Sequence, residues 1–442
     1  IKVLKEADER DSAYWEANAK IPSTDEEQRA YERADSVKAA MDSTKYDVGL
    51  MDLLVGGTTG SDHVNVSFPG LLGLYHFNRV EGHALEGSAS FRMPDIPLRT
   101  LSAMAGYGFN DKRMKWSVAG GVQIFDTPRL QLTAERYATL GFFDQGNRLL
   151  GTAGTTLTTL LLKYDLYDYF YQDGWSAGTS YDLLMLFPVS MSVSRNHYLN
   201  AVNTTNESIF RRDWIFRENP AINEGSILSV YGEVTVDARD FIDNAGVIRR
   251  FGTRNHVPTV GIGWHQADIE GTQWEYLSWT ARLNGSFEFG IAGAFAYRLV
   301  ATGTGGPLAT QSLYSLPGSI EYFADSRRFR TLGFREFGGD RRVTAMFTYN
   351  LRDWLFRASG LPLLAGSGLG VELFASSGWA TMTDATRSLQ RVHVSEAKLP
   401  FWEVGFGIDN ILTLFRIDFA WRLNHFRPGR NFFFGLNAGV LL

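Results

Sequence analysis

LFRIDFAWRLN, residues 414–424, decides the fold. From Phe415 onward every second residue is apolar (Phe415, Ile417, Phe419, Trp421, Leu423), and the residues between them are Arg416, Asp418, Ala420, Arg422 and Asn424. A period of two is that of a β-strand with two opposed faces. The question it poses is which face meets water, and whether the apolar face meets a protein core or lipid.

Working outward, the same period fills the chain from about residue 60 onward. Trp402, Val404, Phe406 and Ile408 alternate with Glu403, Gly405, Gly407 and Asp409; RVTAMFTYNL, LSWTARLN and FFFGLNAGVLL behave alike. Further strands are expected near 83–93, 98–109, 113–125, 129–139, 184–195, 225–238, 257–266, 291–301 and 365–377, about thirteen clear ones in all. Their lengths exceed the globular mode of about five to six residues and match the roughly nine to eleven of a tilted membrane-crossing strand. Short turns (Asn110-Asp111, Phe289-Gly290-Ile291, Asp409-Asn410) are expected at one end, and long polar loops (196–224, 302–341, 378–399) at the other. That asymmetry is typical of outer-membrane barrels.

The fold expected is an all-β, transmembrane antiparallel β-barrel of fourteen to sixteen strands, sixteen by preference. About eight strands already suffice to pack a lumen with side chains, so a barrel this wide with an apolar interior would be a void. Aromatic residues facing lipid, with Arg, Asp, Asn and Gly facing a wet lumen, resolve the difficulty, and closure removes unpaired edges. Residues 1–45 differ: they are charged, almost free of glycine and helical in period. Ser23 and Thr24 are followed three residues later by Glu26 and Glu27, a capping pattern. This part is expected as a periplasmic helical segment, with 46–442 as the barrel and 140–183 as a periplasmic cap or plug. The chain opens at Ile1, which suggests a processed product.

A formal charge of -5 with no basic block gives no footprint for nucleic acid. Zero cysteines exclude disulfides and thiol catalysis. The eight histidines show no metal-ligand spacing, and no Gly-x-Ser-x-Gly elbow occurs. Asp165, Asp168 and Asp173 lack the pattern of a calcium loop. The expectation is therefore a protein that is not an enzyme and carries no cofactor or metal.

TLGFREFGGDRRVTAMFTYNLR (331–352) resembles the sixth extracellular loop and following strand of the BamA/TamA bacterial surface-antigen superfamily. There an Arg-Gly-Phe/Tyr motif folds back into the barrel, and five strands follow. AYWEANAKIPSTDEEQRAYERAD (13–35), YHFNRVEGHALEGSASF (75–91) and YGFNDKRMKWSVAGGV (107–122) resemble a narrower group: Bacteroidota outer-membrane barrels of unknown function that carry a carboxypeptidase-regulatory-like domain. Here Leu332, not Arg, precedes Gly333, and the nearest guanidiniums are Arg330 and Arg335.

The resemblance implies a loop-to-lumen motif of Arg330, Gly333, Phe334 and Arg335, with Arg330 or Arg335 paired to lumen carboxylates among Glu372, Glu403, Asp409 and Asp418. It also implies a seam at the C-terminal strand, marked by Gly435, Gly439, Val440 and Leu442. The role it implies is insertion or translocation of proteins or lipids at the bacterial outer membrane. The partners would be outer-membrane lipid, lipopolysaccharide, and client outer-membrane proteins or lipoproteins, with the barrel itself monomeric. A passive or gated diffusion channel, or a non-catalytic scaffold of a surface complex, are the alternatives.

Overall fold

The computed structural model describes residues 2–3, 49–61, 63–126, 128–144, 148, 150–184, 186–244, 247–251, 255–320, 327–358, 360, 368–411 and 415–438. The helical segment expected over 1–45 lies outside these, apart from Lys2–Val3, a short strand parallel to Asp240–Asn244. Among the described residues no helix is long and apolar enough to cross a membrane, which says nothing of strands.

The opening stretch forms the strand Phe415–Arg422, antiparallel to Ala397–Ile411 on one side and Phe432–Ala438 on the other. The register sets Phe406, Phe419 and Phe434 in a row across three strands, with ring centroids 4.9 and 5.3 Å apart. Trp421 and Phe434 are 40% and 52% exposed, whereas Asp418 and Arg422 on the opposite face are buried. The aromatic face therefore points out of the sheet and the charged face points in. Exposed Leu277, Trp279, Ile262 and Trp175 extend the outward apolar surface to other strands. An apolar surface of this extent marks contact with a membrane or another protein.

Antiparallel ladders link neighbours in chain order, and the sheet is closed into a barrel of eighteen strand segments. Two of these, Asn65–Pro69 and Tyr75–Asn78, lie end to end against Gly82–Arg92, interrupted by the helical turn Leu71–Leu74. The hairpin strand Gly56–Gly60 precedes them. The segments therefore do not reduce simply to the sixteen strands read from the sequence. Among the described residues, no ladder pair joins Phe432–Ala438 to this first hairpin.

One expectation is corrected. Tyr169–Leu183 is a strand, paired with Arg129–Phe142 and Phe187–Asn200; the reading of all of 140–183 as a cap or plug missed it. Its inward positions are Gln172, Gly174, Ser176, Gly178 and Ser180, and its outward apolar series of Trp175, Tyr181 and Leu183 is interrupted by Asp173 and Thr179. Each antiparallel strand reverses the chain, so missing one misplaces the connections before it. The 143–168 connection, with its helix Thr152–Leu162, lies at the same end as the long loops 201–224 and 305–340, not at the opposite end. The Asn110-Asp111 turn shares that end as well, apart from the Phe289–Ile291 corner.

Glycine in a strand interior usually weakens it, but Gly405 makes room for a ring. A Cβ there would sit 2.4 Å from the buried Phe374 ring and 2.1 Å from the Phe419 carbonyl. Gly405→Val is expected to lower stability by about 1–3 kcal/mol through overpacking, measured as a lower thermal midpoint of the detergent-solubilised protein. An unchanged midpoint would show that the Phe374 ring is free to move.

Candidate functional site: a loop latched inside the barrel

Residues 305–340 connect Ala294–Thr304 to Arg341–Asn350, and five strands follow among the described residues. The connection turns inward because it carries its own apolar anchors. Leu316, Phe329, Leu332 and Phe337 pack with Met346, Ala380, Ala397 and Phe401 from the wall, all of them buried. Phe329 meets Phe401 edge-on at 5.4 Å. Gly318 permits the fold-back: a Cβ on it would lie 2.1 Å from the Gly333 carbonyl.

Apolar packing positions the loop, and one carboxylate fixes its register. Glu403 is fully buried on the strand Ala397–Ile411. It accepts from the backbone N–H of Arg330 and of Thr331, both at 2.9 Å, and from the Thr331 hydroxyl at 2.7 Å. The Arg330 side chain, 2% exposed, donates Nε to Asp418 at 3.3 Å and lies over the Phe374 ring at 3.9 Å. Arg422 closes the clasp from four residues further along the same face of the strand Phe415–Arg422. It donates to both Glu336 oxygens, at 2.9 and 3.1 Å, and to the Thr331 carbonyl at 2.6 Å. Glu336 in turn accepts from the Gly333 N–H at 2.8 Å. Charge-assisted and bidentate bonds of this kind are the strong ones, and in a buried site each leaves an orphan if its partner is removed.

Not every expected partner joins the clasp. Glu372 pairs with Arg416, which also holds Asp418 at 2.5 Å. Asp409 accepts from Asn350 at 3.2 Å, away from the loop. Arg335, with a left-handed φ of 55°, turns from that wall towards the 143–168 connection. There it reaches Asp168 at 3.4 Å and lies over the Phe143 ring at 4.1 Å, while Phe334 meets Tyr167 edge-on at 5.7 Å. Gly435 sits on the inward face opposite Asp418. Gly439, Val440 and Leu442 lie outside the described residues.

A second hub was not anticipated. Arg79, fully buried in the turn after Tyr75–Asn78, donates to Asn203 at 3.1 Å, Asp168 at 2.9 Å, Asn219 at 3.0 Å and the Asp165 carbonyl at 3.2 Å. Arg217 also reaches Asp168. Asp165 and Asp168 thus serve arginines, and Asp173 pairs with Arg136 at 2.6 Å. Burial pushes the Asp165 carboxyl up, against the pull of Arg79. In the sequence, an arginine in a tight turn reads as solvated, and nothing local signals four distant partners. Through Asp168, this hub is continuous with Arg335 and so with the latched loop.

Removing the Glu403 carboxylate would orphan three buried donors and strand Arg330. Glu403→Ala is expected to cost about 3–5 kcal/mol and to open 327–337 to protease, whereas Glu372→Ala leaves the loop protected; equal protection in both would remove Glu403 from the latch. Glu81 gives a pH signature. Burial alone would raise its pKa, but His76 at 2.9 Å and Lys115 at 2.8 Å outweigh that and hold it at about 2. Its contribution is therefore complete above the ordinary carboxylate value and is lost as pH falls towards 2. The acid limb of stability is expected to be shallower in Glu81→Gln than in the unsubstituted chain, read from thermal midpoints between pH 2 and 6.

No curated protein matches the chain in sequence. Among solved structures it is similar to BamA from Haemophilus ducreyi lacking POTRA domains 1–3, at 8% identity and a TM-score of 0.49, covering 91% of this chain and 77% of that one. It is also similar to CdiB from Acinetobacter baumannii (11% identity, TM-score 0.38, 85% and 59% covered) and CdiB from Escherichia coli (12%, 0.39, 85% and 62%). The chain spans less than two thirds of either CdiB. Residues 51–304, more than half of the chain, match the C-terminal domain of a family of unknown function, DUF5686, and the chain belongs to that family.

Proposed function

We propose that the protein is a bacterial outer-membrane barrel that assists insertion or translocation of proteins or lipids at the seam between its last strand and its first hairpin, without catalysis. The observation that carries this reading is the latched loop. The described parts of 305–340 and 143–168 pack on the inward face of the wall, held by buried ion pairs. Chain packed there disfavours steady diffusion through the centre and leaves the wall as the working surface. The outward apolar face supports a bilayer as its surroundings, since backbone groups in hydrocarbon must be paired within the sheet. At a seam, an incoming strand can exchange partners without leaving those groups bare. The partners on this reading are outer-membrane lipid and lipopolysaccharide, with client outer-membrane proteins or lipoproteins, around a monomeric barrel. A gated diffusion channel is the second reading, favoured by the plug being a connecting loop held by side-chain contacts and not part of the wall.

Because the chain has no cysteine, single thiols report cleanly. Leu436→Cys, on the outer face of the last strand, is expected to give crosslinked adducts with other envelope proteins in cells, and Leu277→Cys on the far wall few. Adducts equal at both positions, or none at either, together with steady conductance in planar bilayers, would overturn the assembly reading in favour of a channel.

A further inference from the structure

Beside the latched loop, and sharing Met346 with its apolar anchor, lies a cavity of about 400 Å³. Three consecutive wall strands bring Arg282, Arg298 and Arg342 to it, and the two inserted segments bring Arg148, Arg327 and Arg328. Among the described residues, Asp144 is the single carboxylate lining it.

The register explains the crowding. Arg282 stands opposite Val300, two residues from Arg298, so these two are diagonal neighbours, while Arg342 on the next strand stands opposite Thr302, four residues from Arg298. Such diagonal neighbours are about 7–8 Å apart, and like charges so placed repel. The barrel could have carried threonine or asparagine at these inward positions at no cost in pattern. Arg282 is answered by Glu233, which also accepts from Tyr231 at 3.1 Å. Asp144 is engaged by the Ser315 hydroxyl. Arg342 donates Nη1 to the Ser315 carbonyl at 2.7 Å, and its Nε is buried at the cavity with no hydrogen-bond partner. Six guanidiniums and one carboxylate around a single cavity leave it short of negative charge, and an anion supplies that charge.

We propose that this cavity is a binding site for a phosphate monoester. Planar forks approaching from several directions suit a tetrahedral dianion with three accepting oxygens, and the volume lies within the range of small-molecule pockets. The strands behind it, Thr272–Glu288, Ala294–Thr304 and Arg341–Asn350, are paired along their lengths, so the ligand enters from an aqueous mouth and not through that wall. The inference stands apart from the assembly reading and survives its failure.

The test is calorimetric titration of the purified full chain in detergent with glycerol 3-phosphate, with glycerol, and with a lysophosphatidate of the same headgroup. Binding of the phosphate esters and none of glycerol is expected. Arg298→Gln and Arg342→Gln should each weaken it about tenfold or more, as loss of a charge-assisted bond does, with strand content retained by circular dichroism. Tighter binding of the lysophosphatidate would identify a lipid headgroup as the source, and equal binding a soluble ester; both support the site. No binding of either ester, or unchanged affinity in both folded variants, would overturn it.

Discussion

Everything in this barrel depends on the inward face of its wall being charged while the outward face is apolar. With strands this numerous, side chains cannot fill the lumen, so the interior must be either wet or occupied by more chain. Here more chain enters, and Glu403 is the point of purchase. Buried carboxylates are costly unless fully bonded. Glu403 is bonded by two backbone N–H groups and a hydroxyl of a single loop, so charge and loop stabilise each other only together.

The wall around Glu403 is built for that partnership. Gly405, two residues on, admits the Phe374 ring, and the ring carries the Arg330 guanidinium. Asp418 and Arg422, four residues apart on the same face of the neighbouring strand, take the Arg330 side chain and the loop backbone. A period of two thus delivers three functional groups from Phe415–Arg422 and Ala397–Ile411 to one spot. On the far side Arg335, Asp168 and Arg79 tie the same loop to 143–168 and 201–224, so three connections at one end of the barrel form one network.

What the sequence made legible follows from which face carries the signal. Strands whose outer residues are Phe, Trp and Leu, such as 415–422 and 401–409, could be read directly, whereas the pairing of Arg330 with Asp418 was one of several that the family resemblance implied. Tyr169–Leu183 was missed although Trp175, Tyr181 and Leu183 lie on its outward face, because Asp173 and Thr179 interrupt them and the glycines and serines inside look like loop. That one omission misassigned the end at which 143–168 lies, and with it the chance of seeing that Arg335 would choose Asp168 over Glu372 or Asp409. Arg79 was hidden for a different reason. Its partners lie 86 to 140 residues away, and long-range convergence leaves no local pattern.

The central claim is that 327–337 is bound within the lumen and is not a solvated surface loop. Amide hydrogen exchange on the detergent-solubilised full chain tests it most directly, because the Arg330 and Thr331 N–H groups are the very donors that Glu403 accepts. The account predicts that these two amides exchange as slowly as those of the strand Ala397–Ile411. Exchange at the rate of an unprotected loop would contradict it.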